Sequence, residues 1–235
     1  MTALLQARAL RKTYGSTEAL SGAEFEIAAG EVVAIMGPSG SGKSTLLHCI
    51  AGIVPPDSGT VFYDGRELSA MVDAERSALR RSEFGFVFQF GQLVPELSCR
   101  ENVAMPLRLD GMNRREAERR ADTILASLEV AGVAGQRPGN VSGGEGQRVA
   151  VARALITDPR VVFADEPTGA LDSLNGERVM ELLTGAARER GTAVVLVTHE
   201  PRVAAYSDRE VVVRDAGTLG LERTSSWGSS RSPRG

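Results

Sequence analysis

The sequence predicts an α/β fold with a mostly parallel central sheet, and three observations carry that prediction. Short β-branched runs alternate with longer amphipathic ones, as strand and helix do in a parallel α/β chain. The best strands, residues 31–36 (EVVAIM), 160–166 (RVVFADE) and 192–199 (TAVVLVTH), are apolar throughout instead of alternating. A parallel strand reads this way because it is covered on both faces. No internal repeat breaks the pattern, and 42% apolar content across 235 residues is ample for a buried core.

Strand 31–36 runs into GPSGSGKST, residues 37–45, and then into an expected helix over 43–51. A second helix is expected over 114–130. Asn113 is its candidate N-cap, Ala117, Ile124, Leu125 and Leu128 mark one face, and its Arg and Glu residues form a solvated opposite face. Further helices are expected after Ser142 and over 175–190, flanking the strand at 160–166. The last stretch, residues 216–235, is rich in Gly, Ser and Arg without periodicity and reads as a disordered tail.

Bulk properties exclude several classes. The formal net charge of -3 does not favour nucleic acid, whose non-specific binding rests on Lys and Arg contacts to phosphate. Cys49 and Cys99 lie far apart with no clustered His, so neither a disulfide framework nor a zinc site is indicated and a reducing cytosol fits. The longest apolar runs, such as AVVLV, are too short to cross a bilayer, and the start lacks a signal pattern; the chain is expected not to be a membrane protein itself.

The stretch 37–45 matches G-x-x-x-x-G-K-[ST] in its required place between strand and helix. Gly37, Gly40 and Gly42, with Pro38, Ser39 and Ser41 between them, let the backbone curl so that N–H groups face a phosphate, and the helix starting with Ser44 and Thr45 adds its positive dipole end. Lys43 is expected to reach the β- and γ-phosphates, and Ser44 to offer its hydroxyl to Mg²⁺. A carboxylate at another strand end should complete the metal site, because ligands gather outside the carboxyl ends of parallel strands. Asp165 fills that role, and Glu166 is placed to polarise the water that attacks the γ-phosphate. His199, at a third strand end, can hydrogen-bond the γ-phosphate and hold water and Glu166 in line, while His48 reads as a packing residue.

Ser142, Gly143 and Gly144 begin another helix, where unpaired N–H groups favour an anion. One nucleotide already has its cradle in 37–45, so a second phosphate surface makes sense if it closes over a nucleotide held by another copy.

With these elements in this order, residues 4 to 215 resemble the ATP-binding subunits of ABC transporters. The resemblance implies a P-loop NTPase core over 1–215, a small antiparallel β subdomain and a helical signature subdomain over about 90–158. It further implies that Tyr14 stacks on adenine, that Gln89 touches Mg²⁺ and senses the permease, and that Asp172 is the aspartate that joins Ser142–Gly144 in contacting ATP across a head-to-tail pair. The cofactors are then ATP and Mg²⁺, and the partners a second copy and an integral-membrane permease, with the subunit on the cytoplasmic face of the membrane and no nucleic acid involved.

The segments ADEPTGALDS and VTHE resemble the group serving lipoprotein release, macrolide or peptide efflux and division-associated permeases, whose members drive a separate permease toward export or extraction from the membrane. The loop GQLVPELSCREN is expected to expose Leu93, Val94, Pro95 and Leu97 to a permease helix. A soluble ABC-type ATPase acting on ribosomes or DNA is the alternative; it would call for two such domains or a coiled-coil insertion. A small-molecule kinase would leave Ser142–Gly144 and His199 without a purpose. The signature departs from LSGGQ at Val141 and Glu145, and Gly146 stands where glutamine is usual; a glycine inside a helix costs about 1 kcal/mol relative to alanine and is expected to weaken the closed pair.

Overall fold

The computed structural model describes residues 3–214 and 218–222. The chain opens with a hairpin of β1 (Ala3–Tyr14) and β2 (Thr17–Ala28), followed by β3 (Val32–Met36) and α1 (Lys43–Ile50). Next come β4 (Ser58–Tyr63), β5 (Arg66–Glu67), α2 (Asp73–Glu83) and β6 (Phe84–Phe88). Three helices then cluster, α3 (Cys99–Leu109), α4 (Arg114–Ser127) and α5 (Gly143–Leu155), within the segment expected to be helical. The chain returns through β7 (Val161–Asp165), α6 (Ser173–Arg190), β8 (Ala193–Val197), α7 (Pro201–Ala204), β9 (Arg209–Arg214) and β10 (Thr218–Glu222).

The strands form two sheets, an antiparallel one ordered β2-β1-β4-β5 and a central one ordered β10-β9-β3-β8-β7-β6. In the central sheet β9, β3, β8, β7 and β6 run parallel, and only β10 is antiparallel. Neighbouring residues of each parallel strand enter opposite cores, which is why these strands read as unbroken apolar runs. Val32, Ala34, Val162, Ala164, Val194 and Leu196 pack with the helical clusters. Val33, Ile35, Val161, Phe163, Val195 and Val197 pack with α1 and the antiparallel sheet.

Local chemistry sets the boundaries. Asn113 caps α4 by accepting from the Glu116 N–H at 3.0 Å. The helix ends at Ser127, short of the expected residue 130, because Glu129 turns left-handed at φ 60° and is held outside by Arg178. α6 begins earlier than residue 175, since Asp172 accepts from the Asn175 N–H at 2.9 Å and so starts the helix at Ser173. Cys49 and Cys99 are buried and unpaired. No helix among the described residues is long and apolar enough to cross a membrane.

Two expectations are corrected. Within the segment read as a disordered tail, Thr218–Glu222 pairs antiparallel with β9; TLGLE has the period-two apolar spacing, Leu219 and Leu221, that an edge strand needs. Residues 223–235 lie outside the described residues. The loop after Gln89 does not present its apolar residues as expected either. Leu93, Val94 and Leu97 are half-buried, because the fully buried Asn102 side chain accepts from the Val94 N–H at 2.7 Å and donates to the Val94 carbonyl at 3.0 Å. Pro95 is exposed, and the protruding apolar side chain is Phe90, 75% exposed.

Candidate active site

The loop 37–42 leaves β3 and enters α1 at Lys43. Gly42 lies in the left-handed region at φ 97°, and a Cβ there would stand 2.3 Å from the Ala19 carbonyl of β2. Only glycine admits that approach, which seats the hairpin of the antiparallel sheet directly beside the loop. Lys43 is nearly buried and folds over the loop, donating to the carbonyls of Gly37 at 2.9 Å and Pro38 at 2.8 Å. Its ammonium is therefore held within the curl by two backbone carbonyls.

β7 lies two strands from β3, with β8 between them. Its register brings Asp165 next to the loop, where the Ser44 hydroxyl donates to Asp165 Oδ1 at 3.2 Å. Burial holds the Asp165 carboxyl above the ordinary range, the Ser44 bond opposes this, and the nearby Glu166 charge adds to the rise. Glu166 follows at φ 47°, a conformation costly for a residue with a side chain, and its N–H is tied to the Val197 carbonyl of β8 at 2.9 Å. His199 leaves the end of β8 with Nδ1 2.8 Å from Glu166 Oε1. The hydrogen bond to Glu166, reinforced by its charge, raises the imidazole pKa above 6.5. Glu166 Oε2 is buried without a protein partner. Lys43, Ser44, Asp165, Glu166 and His199 thus converge from three strand ends.

The family profile described as ABC transporter matches residues 20–169. The lipoprotein-releasing system ATP-binding protein LolD 2 of Caulobacter vibrioides is 44% identical over 224 residues, covering 94% of this chain and 98% of that protein. The LolD protein of Bordetella pertussis is 48% identical over 211 residues, covering 88% and 91%.

The chain belongs to the ABC transporter family.

A dimeric ATP-binding cassette solved in a post-hydrolysis state with ADP and Pi superposes with TM-score 0.85 at 38% identity, covering 94% of this chain and 99% of that one. This ABC subunit is accordingly an ATP-binding protein and an ATPase.

The remaining expected site residues of the ABC subunit fall in several places. Tyr14 ends β1, half exposed, with the Lys12 ammonium 5.7 Å from its ring centroid. Lys12 is itself fixed by Asp57 at 2.7 Å, so the hairpin tip is tied to the turn after α1. Gln89 follows β6 with its amide against Gly169, and it is bonded to neither Ser44 nor Asp165. Ser142 caps α5, accepting from the Glu145 N–H at 3.3 Å, and Ser142 and Gly143 are exposed. A Cβ on Gly144 would meet Asn175 Oδ1 at 2.5 Å, and the Asn175 amide donates to Asp172 at 2.7 Å. The signature start and Asp172 are therefore linked within one chain.

Sequence reasoning missed the residues that hold the Gln89 loop. Gln147 donates to the Phe88 carbonyl at 2.9 Å, and Arg153 to the carbonyls of Gly91 at 2.7 Å and Gln92 at 2.8 Å, all from α5. Gln147 is buried and Arg153 half-buried, and a polar side chain buried in an otherwise apolar helix marks a bonded residue.

Proposed function

We propose that this subunit powers a separate membrane permease of the lipoprotein-releasing kind, through ATP bound between two head-to-tail copies on the cytoplasmic face. The observation that carries the reading is the convergence of Lys43, Ser44, Asp165, Glu166 and His199 on the phosphate loop, with Ser142 and Gly143 exposed on another element. In this reading Ser142–Gly144 and Asp172 of one copy face the phosphate loop of the other. The relatives named for lipoprotein release support the choice of permease class.

The donor set fits Mg²⁺. Ser44 and Asp165 bring hard oxygen atoms together, and no group of three or more His, Cys, Asp or Glu gathers into a metal cage among the described residues. Mg²⁺ keeps several waters and takes few protein ligands, so Ser44 and Asp165 would hold it, with the Gln89 amide joining them only on leaving its place against Gly169. Bound there, it would neutralise charge on the β- and γ-phosphates.

The protein's own groups do the rest. Lys43 exchanges the Gly37 and Pro38 carbonyls for phosphate oxygens, and the backbone N–H groups of Gly37, Ser39, Gly40, Ser41, Gly42, Lys43, Ser44 and Thr45, with Pro38 shaping the turn, complete the cradle around the phosphates. Glu166 accepts the proton of the attacking water at its carboxylate. His199 donates through Nδ1 to Glu166, whose charge favours the imidazolium, and in that protonated form it also donates through Nε2 to the γ-phosphate. Tyr14 offers its ring to adenine.

The permease would seat on the apolar depression lined by Ile53, Phe86, Phe88, Met105 and Leu109. Affinity purification of the subunit in mild detergent, with mass spectrometry of what co-purifies, tests the assignment. A stoichiometric integral-membrane protein with a large extracytoplasmic part is expected; ribosomal or DNA-associated proteins in its place would overturn it.

A further inference from the structure

The start of α5 carries its own anion. Glu145 folds back so that Oε2 accepts from the Ser142 N–H at 2.8 Å and from the Ser142 hydroxyl at 2.7 Å. A hydroxyl has one proton to donate, so Ser142 cannot give it to a phosphate while Glu145 holds it. A helix start attracts phosphate through its free N–H groups and positive dipole end, and here a side chain three residues on already sets a carboxylate at that end, on the Ser142 N–H and hydroxyl. These bonds, with the Arg148 charge, hold the Glu145 carboxyl below the usual range, so the competitor is an anion at neutral pH.

The identical device stands at a place with no phosphate to read. On α3, Glu101 accepts from the Ser98 N–H at 3.0 Å and from the Ser98 hydroxyl at 2.8 Å. There it serves only to start a helix. On α5 it occupies the Ser142 hydroxyl and N–H, on the surface that the head-to-tail arrangement turns toward the partner-held nucleotide.

We propose that Glu145 is a built-in competitor for that phosphate: the partner's ATP gains Ser142 only as the Glu145 carboxylate lets go, so Glu145 sets the ATP concentration at which two copies close. The inference rests on the sandwich reading given above. Release is open to the side chain, since Ser142 is exposed and Glu145 half-buried, and Arg148, one turn along, already acts on the carboxylate.

The test uses the full chain carrying Glu166→Gln, titrated with ATP and Mg²⁺ while dimerisation is followed by sedimentation or light scattering. Adding Glu145→Gln keeps an acceptor oxygen for the cap and removes the charge. Charge-assisted bonds are about twice as strong as neutral ones and the like-charge repulsion disappears, so the ATP midpoint should fall by about tenfold. The difference between the two proteins should shrink as salt is raised, because screening weakens only the charged form's repulsion. Glu101→Gln makes the same change on α3 and should leave the midpoint where it was. An unchanged or higher midpoint with Glu145→Gln, or an equal drop with Glu101→Gln, would overturn the proposal. If Glu166→Gln alone stays monomeric in ATP, the sandwich reading itself fails, and the role of Glu145 falls with it.

Discussion

Glu166→Gln is the substitution whose consequences the structure defines most fully. The new side chain has the same length and meets the same left-handed backbone requirement, and its carbonyl oxygen can still accept from His199 at the 2.8 Å contact. Nothing is lost from the core, so stability should change by less than about 0.5 kcal/mol. What is lost, in the proposed mechanism, is the base. An amide cannot take the proton of the attacking water, and general-base catalysis contributes about 10²–10⁴-fold, so the barrier should rise by roughly 3 kcal/mol or more. The phosphate loop is untouched, so ATP affinity should be retained. Removing the carboxylate charge should also let the His199 pKa fall back toward 6.5. Phosphate release at saturating ATP, equilibrium nucleotide binding and a thermal melt separate these effects. Turnover within about threefold of the parent would refute Glu166 as the base, and a loss of binding in step with turnover would mean that its role is structural.

Lys43→Ala removes a cation held between the Gly37 and Pro38 carbonyls, and a lost charged hydrogen bond of about 1.5–3 kcal/mol should weaken ATP binding by roughly 10–150-fold; unchanged affinity in a direct binding titration would discredit the phosphate-loop reading. For Gly146→Gln, the nearest atom to a new Cβ is Val141 Cγ2 at 3.7 Å, so the side chain fits without strain. It should stabilise the fold by about 1 kcal/mol and strengthen ATP-driven dimerisation, and a melt with no gain would contradict the first of these. The pH dependence follows from His199, whose pKa is raised in the folded protein by the Glu166 hydrogen bond and charge. The doubly donating imidazolium is present below that pKa and is lost as pH rises through it, so turnover should decline on an alkaline limb whose midpoint lies above 6.5. His199→Ala should abolish that limb in a pH profile, and a limb that survives the substitution would assign it to another group.

The parts of this architecture that the sequence made legible are those where local pattern and burial agree. β3, β7 and β8 were readable because both faces of each are covered, and the phosphate loop because its glycines and lysine sit between a strand and a helix. The antiparallel sheet was harder to read: Ala9, at φ 49°, puts a bulge into β1 and shifts the spacing of inward residues from Leu5 and Ala7 to Leu10. α3 carries its start signal in Ser98 and Glu101, yet Pro106 within it and the loop-like residues before it mask the helix. The ties from Gln147 and Arg153 to the Gln89 loop join residues about sixty positions apart, a distance at which pattern carries no information. The proposed competition at Ser142 was hidden for a different reason, since SGGE reads equally well as a helix cap and as a phosphate surface, and only the folded structure puts the Glu145 carboxylate on the Ser142 hydroxyl.

Cysteine cross-linking across the sandwich tests the central claim most directly. Ser39 and Ser142 are both exposed, and the native cysteines are buried, so Ser39→Cys in one Glu166→Gln subunit and Ser142→Cys in another can be mixed and oxidised without background. The account predicts a covalent dimer that forms between the two differently marked subunits with ATP and Mg²⁺ and not with ADP. Absence of that dimer in ATP, or its equal formation in either nucleotide, would contradict the head-to-tail site.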